Sequence, residues 1–167
     1  MKKDTLLKEV EKCYLFKDQY KKLLSNYQNV IILGNGGSSS IASHITQDYT
    51  KKLCKRSFTF SDASRLTCYS NDYGYEEAYK VFLSEFVDKE NTLVVLISSS
   101  GNSENIINCA DWCELNSIPT VVLTGFDEYN ILKTKPMKNR KINFWVNSDD
   151  YGIVECAHMI FLHMVVE

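Results

Sequence analysis

Two runs of this sequence are made of residue types that cradle anions: Gly34-Asn35-Gly36-Gly37-Ser38-Ser39-Ser40 and Ser98-Ser99-Ser100-Gly101-Asn102-Ser103. Glycines let backbone N–H groups approach a ligand closely. A helix N-terminus just beyond adds unpaired N–H groups and the positive end of its dipole. Hydroxyls of Ser38, Ser39 and Ser40 serve the first corner, and those of Ser98, Ser99, Ser100 and Ser103 the second. Neither run holds the lysine of a nucleoside-triphosphate loop. The ligand expected is therefore an anion held by hydroxyls and amides, most simply a phosphomonoester. Two other readings use the same residues. The serines can act only as helix caps, or Gly34-x-Gly36 can open a dinucleotide site. Against the dinucleotide, Ser39 replaces the third glycine, and Cys54-Lys55-Arg56 stands about twenty residues on, where an acidic residue should close the second strand.

The elements that must position these runs are legible around them. Val30-Ile31-Ile32-Leu33 precedes the first run and Thr92-Leu93-Val94-Val95-Leu96-Ile97 the second. Short, β-branched and continuously apolar, both read as buried strands. Helical patterns follow at 39–53 and 104–116; Thr120–Thr124 and 141–146 read as further strands, and 151–167 as a closing helix. Ahead of them, Leu6, Leu7, Val10, Tyr14, Leu15, Tyr20, Leu23 and Leu24 recur at helical spacing. Strands alternating with helices predict an α/β fold with a parallel sheet flanked by helices on both faces, and ligands at the carboxyl ends of the strands. Only two prolines and no Ser/Gly-rich linker interrupt the chain. A single domain over residues 1–167 is expected, with a helical segment at 1–28, an α/β core at 29–167, and 133–140 as the most mobile surface loop.

Composition narrows the function classes. With 167 residues, 44% hydrophobic, 24% charged and a net charge of −2, the chain has the make-up of an ordinary globular protein. Nothing in that balance provides the electrostatic footprint of a nucleic-acid binder. No apolar run reaches the roughly 18 residues of a membrane span, and the N-terminus has no uninterrupted apolar stretch of a signal peptide. A cytoplasmic protein that binds neither membrane nor nucleic acid is expected. None of the six cysteines forms a C-x-x-C pair, and Cys109 and Cys113, four apart in a helical pattern, read as buried free thiols.

In chain order, Gly34-Asn35-Gly36-Gly37-Ser38, His44 with Asp48, Asn71-Asp72-Tyr73-Gly74, the 98–103 run and Glu155-x-x-His158-x-x-x-x-His163 closely resemble the phosphoheptose isomerase branch of the sugar-isomerase (SIS) family. The likeness covers about residue 28 to the end, and the N-terminal helical region is shorter than the family's. The resemblance implies a single SIS domain, a flavodoxin-like three-layer sandwich. It also implies an aldose–ketose isomerase that converts D-sedoheptulose 7-phosphate to D-glycero-D-manno-heptose 7-phosphate through an enediol. Homotetramers with sites at subunit interfaces and one zinc per subunit follow from it too. Residue by residue, it implies that Asn35, Gly36, Gly37 and Ser38 line the substrate. Ser98, Ser99, Ser100 and Ser103 hold its phosphate, and Asn71 and Asp72 contact the sugar. Asp48 and His163 become the acid/base pair, and His44, Asp48, Glu155 and His163 the metal ligands, with Asp48 and Glu155 also touching substrate.

Spacing is compatible with these roles. His44 and Asp48, four apart, share a helix face. Glu155 and His163 lie about 80° apart around theirs, so both pairs can converge on one pocket. His158, about 140° from His163 around the helix, reads as a core histidine. Two positions depart from the family pattern: Asp48 is one methylene shorter than the usual glutamate, and Glu155 replaces a neutral glutamine. Isomerisation of a different sugar phosphate is the nearest alternative. A non-catalytic SIS-fold binding protein of the replication-initiator-associating type is another. A sugar-phosphate-sensing regulatory domain is the third, and the chain has no room for its usual companion module.

Overall fold

The apolar runs become the interior strands of a parallel sheet. In the structure, a computed structural model that describes residues 2–166, the chain runs α1 (Lys3–Leu15), α2 (Lys17–Ser25), β1 (Asn29–Gly34), α3 (Gly37–Leu53), β2 (Arg56–Phe58), α4 (Ala63–Tyr73) and α5 (Tyr75–Phe86). It continues with β3 (Thr92–Ser98), α6 (Glu104–Leu115), β4 (Thr120–Thr124), α7 (Ile131–Thr134), β5 (Arg140–Trp145) and α8 (Tyr151–His163). The five strands lie in the order β2-β1-β3-β4-β5, every pair parallel. β3 and β4 are buried at every position, as strands covered on both faces must be, while the edge strands β2 and β5 are partly exposed.

Strand periodicity assigns the two faces. Ile31, Leu33, Val94, Leu96 and Val122 pack with Ala78, Phe82 and Leu83 of α5 and with Ile106, Cys109 and Cys113 of α6. Their neighbours in sequence, Val30, Ile32, Leu93, Val95, Val121 and Leu123, pack with Ile41, Ile45 and Tyr49 of α3 and with α8, and α1 and α2 join that layer through Cys13, Tyr20 and Leu24. Each fully buried aliphatic side chain contributes about 1.5–3 kcal/mol, so the layers are fixed by hydrophobic burial. Three layers result, as the sequence leads one to expect. β1 and β3 are neighbours, yet the helices that follow them, α3 and α6, cover opposite faces. That divergence opens a crevice at the carboxyl ends of β1 and β3, where open α/β sheets bind ligands.

Several details differ from the sequence reading. The N-terminal helical pattern breaks at Phe16, whose N–H donates to Cys13 O (3.0 Å) and whose ring packs on Phe144 and Phe161. Residues 56–58, 63–73 and 75–86 form elements that the sequence reading did not assign, although Ala78, Tyr79, Phe82 and Leu83 recur at helical spacing in the last of them. The closing helix ends at His163, and Glu167 lies outside the described residues. The segment 133–140 is tied down at both ends. Arg140 donates to the carbonyls of Leu132 and Lys133, and the Glu114 carboxylate accepts from the N–H groups of Lys138 and Asn139. Cys109 and Cys113 are buried free thiols, joined by Cys13, whereas Cys54, Cys68 and Cys156 are exposed. Among the described residues no helix is long and apolar enough to cross a membrane.

Candidate active site

Both serine-rich turns fold into the crevice. Gly36 precedes α3 with φ of 53°, in the left-handed region that a side chain disfavours, and no side chain caps the helix behind it. At Gly37 a Cβ would meet the Glu155 carboxylate of α8, so a side chain here would have to displace the Glu155 head group from its present position. At the second corner Ser103 stands at the N-terminus of α6 without capping it. Its hydroxyl instead accepts from Ser98 Oγ (3.1 Å), which itself accepts from Gly101 N (3.1 Å). The helix-cap reading of the serines therefore does not hold at either corner, whereas Asp150 does cap α8.

Between the corners lies a cavity of about 240 Å³, lined by Asn35, Gly36, Gly37, Ser38, Ile97, Ser98, Ser99, Ser100, Ser103, Tyr151 and Glu155. Its lining contains hydroxyls, amides and one carboxylate but no lysine or arginine. Ser99 Oγ is buried without a partner among the described residues, and a buried polar atom left in that state marks a place for a ligand or a water. Asn35 is held in place by a residue the sequence did not single out: its side-chain amide exchanges two 2.9 Å hydrogen bonds with that of Asn105 on α6. The Tyr75 hydroxyl also donates to Asn35 Oδ1 (2.9 Å). These contacts tie the first corner to the helix of the second. A polar residue in the first turn of α6 was the only signal for Asn105.

Along α3 from this cavity, His44 lies two turns beyond Gly37, about 10 Å at 1.5 Å per residue, and Asp48 one turn further. The last turn of α8 packs beside them and delivers His163. His163 Nε2 sits 3.0 Å from Asp48 Oδ2, and His44 Nε2 sits 3.4 Å from the same oxygen. The two imidazoles are stacked, with centroids 5.8 Å apart and planes at 9°. Asp48 is 8% exposed, while both histidines open to solvent. One donor atom from each of the three lies within 4.8 Å of the others, a set able to hold a metal ion. Two imidazoles and a carboxylate fit a zinc site that leaves a coordination position open. Without a metal, the same contact lets a proton pass between an imidazole and a carboxylate.

The other expected site residues are placed apart from this cluster. Glu155 is eight residues before His163, about 12 Å along the helix axis, so it lines the cavity and faces Gly37. Asn71 and Asp72 occupy the last turn of α4, exposed, with Asn71 Nδ2 donating to Asp72 Oδ1 (3.0 Å), and neither lines the cavity. His158 is fully buried with Nε2 3.1 Å from Thr124 O. A carbonyl only accepts, so the proton is on Nε2, and burial pushes the pKa down to about 4. It is the core histidine its spacing indicated.

No family model matches the chain. A phosphoheptose isomerase of Fusobacterium nucleatum is 31% identical over 145 residues, which span 84% of this chain and 72% of that protein. One from Helicobacter pylori is 32% identical over 150 residues, 86% of this chain and 75% of that one. Among solved structures, the phosphoheptose isomerase of Neisseria gonorrhoeae superposes with a TM-score of 0.85 over 96% of this chain and 90% of its own, at 20% identity, and shares the fold.

Proposed function

The chain belongs to the phosphoheptose isomerase family of sugar-phosphate isomerases, and from that premise we propose that it converts D-sedoheptulose 7-phosphate to D-glycero-D-manno-heptose 7-phosphate. The observation that carries this reading is the 3.0 Å pairing of His163 with Asp48 at a distance from the serine corners. Anion and acid/base chemistry are separated along α3 by about two to three turns. That suits a sugar with its phosphate and its carbonyl at opposite ends of a long carbon chain.

In this assignment the phosphate enters between the two corners, taking hydrogen bonds from Ser98, Ser99, Ser100 and Ser103 and from the N-terminal amides of α3 and α6. Asn35, Gly36, Gly37, Ser38 and Glu155 line the path of the carbon chain. At the far end a base removes a proton from C1 and an acid protonates the C2 carbonyl oxygen, giving the enediol. Return of a proton to C2 with loss of the proton on O1 leaves the aldose. Asp48 and His163 fill these two roles, each regenerating the other. His44, Asp48 and His163 would also hold one zinc per subunit, and three protein donors suffice for a catalytic site. Bound there, the metal would polarise the substrate carbonyl. Glu155, facing Gly37, is assigned to the substrate.

The same reading places the protein in the cytoplasm as one domain over residues 1–167 and as a homotetramer. Two features support the assembly. Leu7, Tyr14 and Leu15 leave 50%, 54% and 82% of their surface exposed on α1, and α4 buries no residue while presenting Asn71 and Asp72 away from this chain's cavity. A neighbouring copy is the route by which those two side chains would reach a sugar. Light scattering should give about four times the 19.2 kDa chain mass; a monomer at micromolar concentration contradicts the assembly. The activity itself is tested by incubating the purified protein with sedoheptulose 7-phosphate and following the aldose by NMR, with zinc and with a chelator.

A further inference from the structure

Asp48 on α3 and His163 on α8 meet because the two helices pack together, and the residue after Asp48 makes a hydrogen bond across that contact. Tyr49 is fully buried, and its hydroxyl donates to Leu162 O at 2.8 Å. Leu162 immediately precedes His163 in the last turn of α8, where backbone carbonyls lack intrahelical partners. The N–H of Val166 does not reach it, donating to His163 O instead. Tyr49 therefore supplies the hydrogen bond that the end of α8 needs, one residue from His163, and does so from one residue beyond Asp48.

A second tyrosine completes the arrangement. Tyr20 of α2 is also fully buried; its hydroxyl is 2.9 Å from that of Tyr49 and its ring 5.0 Å from Phe161. A phenol has one proton to give and a carbonyl can only accept. The order is thus fixed: Tyr20 donates to Tyr49, which donates to Leu162. Burial raises both phenols well above their ordinary range, so both stay protonated. We propose that Tyr49, seconded by Tyr20, is a positioning residue for the His44–Asp48–His163 cluster, acting through the Leu162 carbonyl. The proposal rests on the reading of that cluster as the acid/base and metal centre.

The test compares the full-length wild type with Tyr49→Phe and Tyr20→Phe. Tyr49→Phe keeps the ring in the core, removes the bond to Leu162 and leaves that carbonyl unpaired. Its zinc dissociation constant, from competition with a chromophoric chelator, should rise about tenfold or more, the usual effect of losing a group that orients metal ligands. On sedoheptulose 7-phosphate, kcat should fall while KM, set at the serine corners, stays unchanged. Tyr20→Phe leaves the bond to Leu162 in place, so it should shift both quantities in the same direction by less. If Tyr49→Phe only lowers the melting temperature, with zinc affinity and kcat intact, the tyrosine is a packing residue and the proposal is overturned. Should Tyr49→Phe fail to fold, an unchanged zinc affinity and kcat in Tyr20→Phe overturns it equally. A wild type that neither binds zinc nor turns over the sugar phosphate removes the underlying assignment, and this inference falls with it.

Discussion

The first serine corner shares α3 with His44 and Asp48, yet the serine corners and the histidine–aspartate cluster are built in opposite ways. The corners are contiguous in sequence, made largely of backbone and neutral hydroxyls, and placed at a crevice that strand order alone creates. The cluster is made of ionisable side chains 115 residues apart, joined by helix packing and a buried tyrosine pair. On the proposed assignment, binding is thus encoded locally and chemistry is assembled at long range. The two regions should fail differently when perturbed.

The largest expected effect is on turnover. Replacing His163 or Asp48 with Ala removes one member of the proposed acid/base pair, and kcat should fall by about 10²–10⁴. KM should change little, and far-UV circular dichroism should show an intact fold. A KM defect as large as the kcat defect would erase the distinction between the two regions.

Next comes the third histidine, which shares α8 with His163 but does different work. Its folded pKa of about 4 lies below the ordinary 6.5, so the unfolded chain takes up the proton first. Stability from neutral His158 is fully present above the unfolded value and is lost as pH falls from about 6.5 toward about 4, to the extent of about 3 kcal/mol. Urea unfolding at pH 7.5 and 4.5 should show that loss in the wild type. His158→Gln, which can still donate to Thr124 O but does not titrate, should show a smaller one. An equal loss in both proteins would mean that other groups drive the acid sensitivity.

The smallest effect belongs to the corners. Ser100→Ala removes one of the donors proposed for the phosphate, and KM should rise about tenfold, since hydrogen bonds to charged groups are worth about 1.5–3 kcal/mol each. Here kcat should hold. An unchanged KM would take the 98–103 turn out of the binding site.

The same contrast explains what could be read before the fold was known. β1, β3 and β4 were legible because strands buried on both faces are continuous apolar runs, and the turns that follow them carry their chemistry in adjacent residues. β2 has only three residues, and α4 buries none, so neither left a hydrophobic pattern to find. The pairing of Asp48 with His163 was visible only through resemblance to a family, because nothing local to either residue marks the other. Helical geometry alone was incomplete for Glu155. Its angle around α8 suggests convergence with His163, but about 12 Å of rise separates them and leaves Glu155 beside Gly37. Tyr49 was invisible for a related reason: on an apolar helix face a tyrosine reads as core, and the partner of its hydroxyl appears only once α8 is in place.

In the proposed reaction the corners deliver a long sugar phosphate to the His163–Asp48 pair. Its most direct test is an NMR time course with sedoheptulose 7-phosphate for wild type, His163→Ala and Ser100→Ala, each with added zinc. The wild type should form the aldose, Ser100→Ala should form it at a comparable rate once substrate is saturating, and His163→Ala should form almost none. A wild type as inert as His163→Ala, while phosphate binding persists, would contradict the account and leave a sugar-phosphate binding protein in its place.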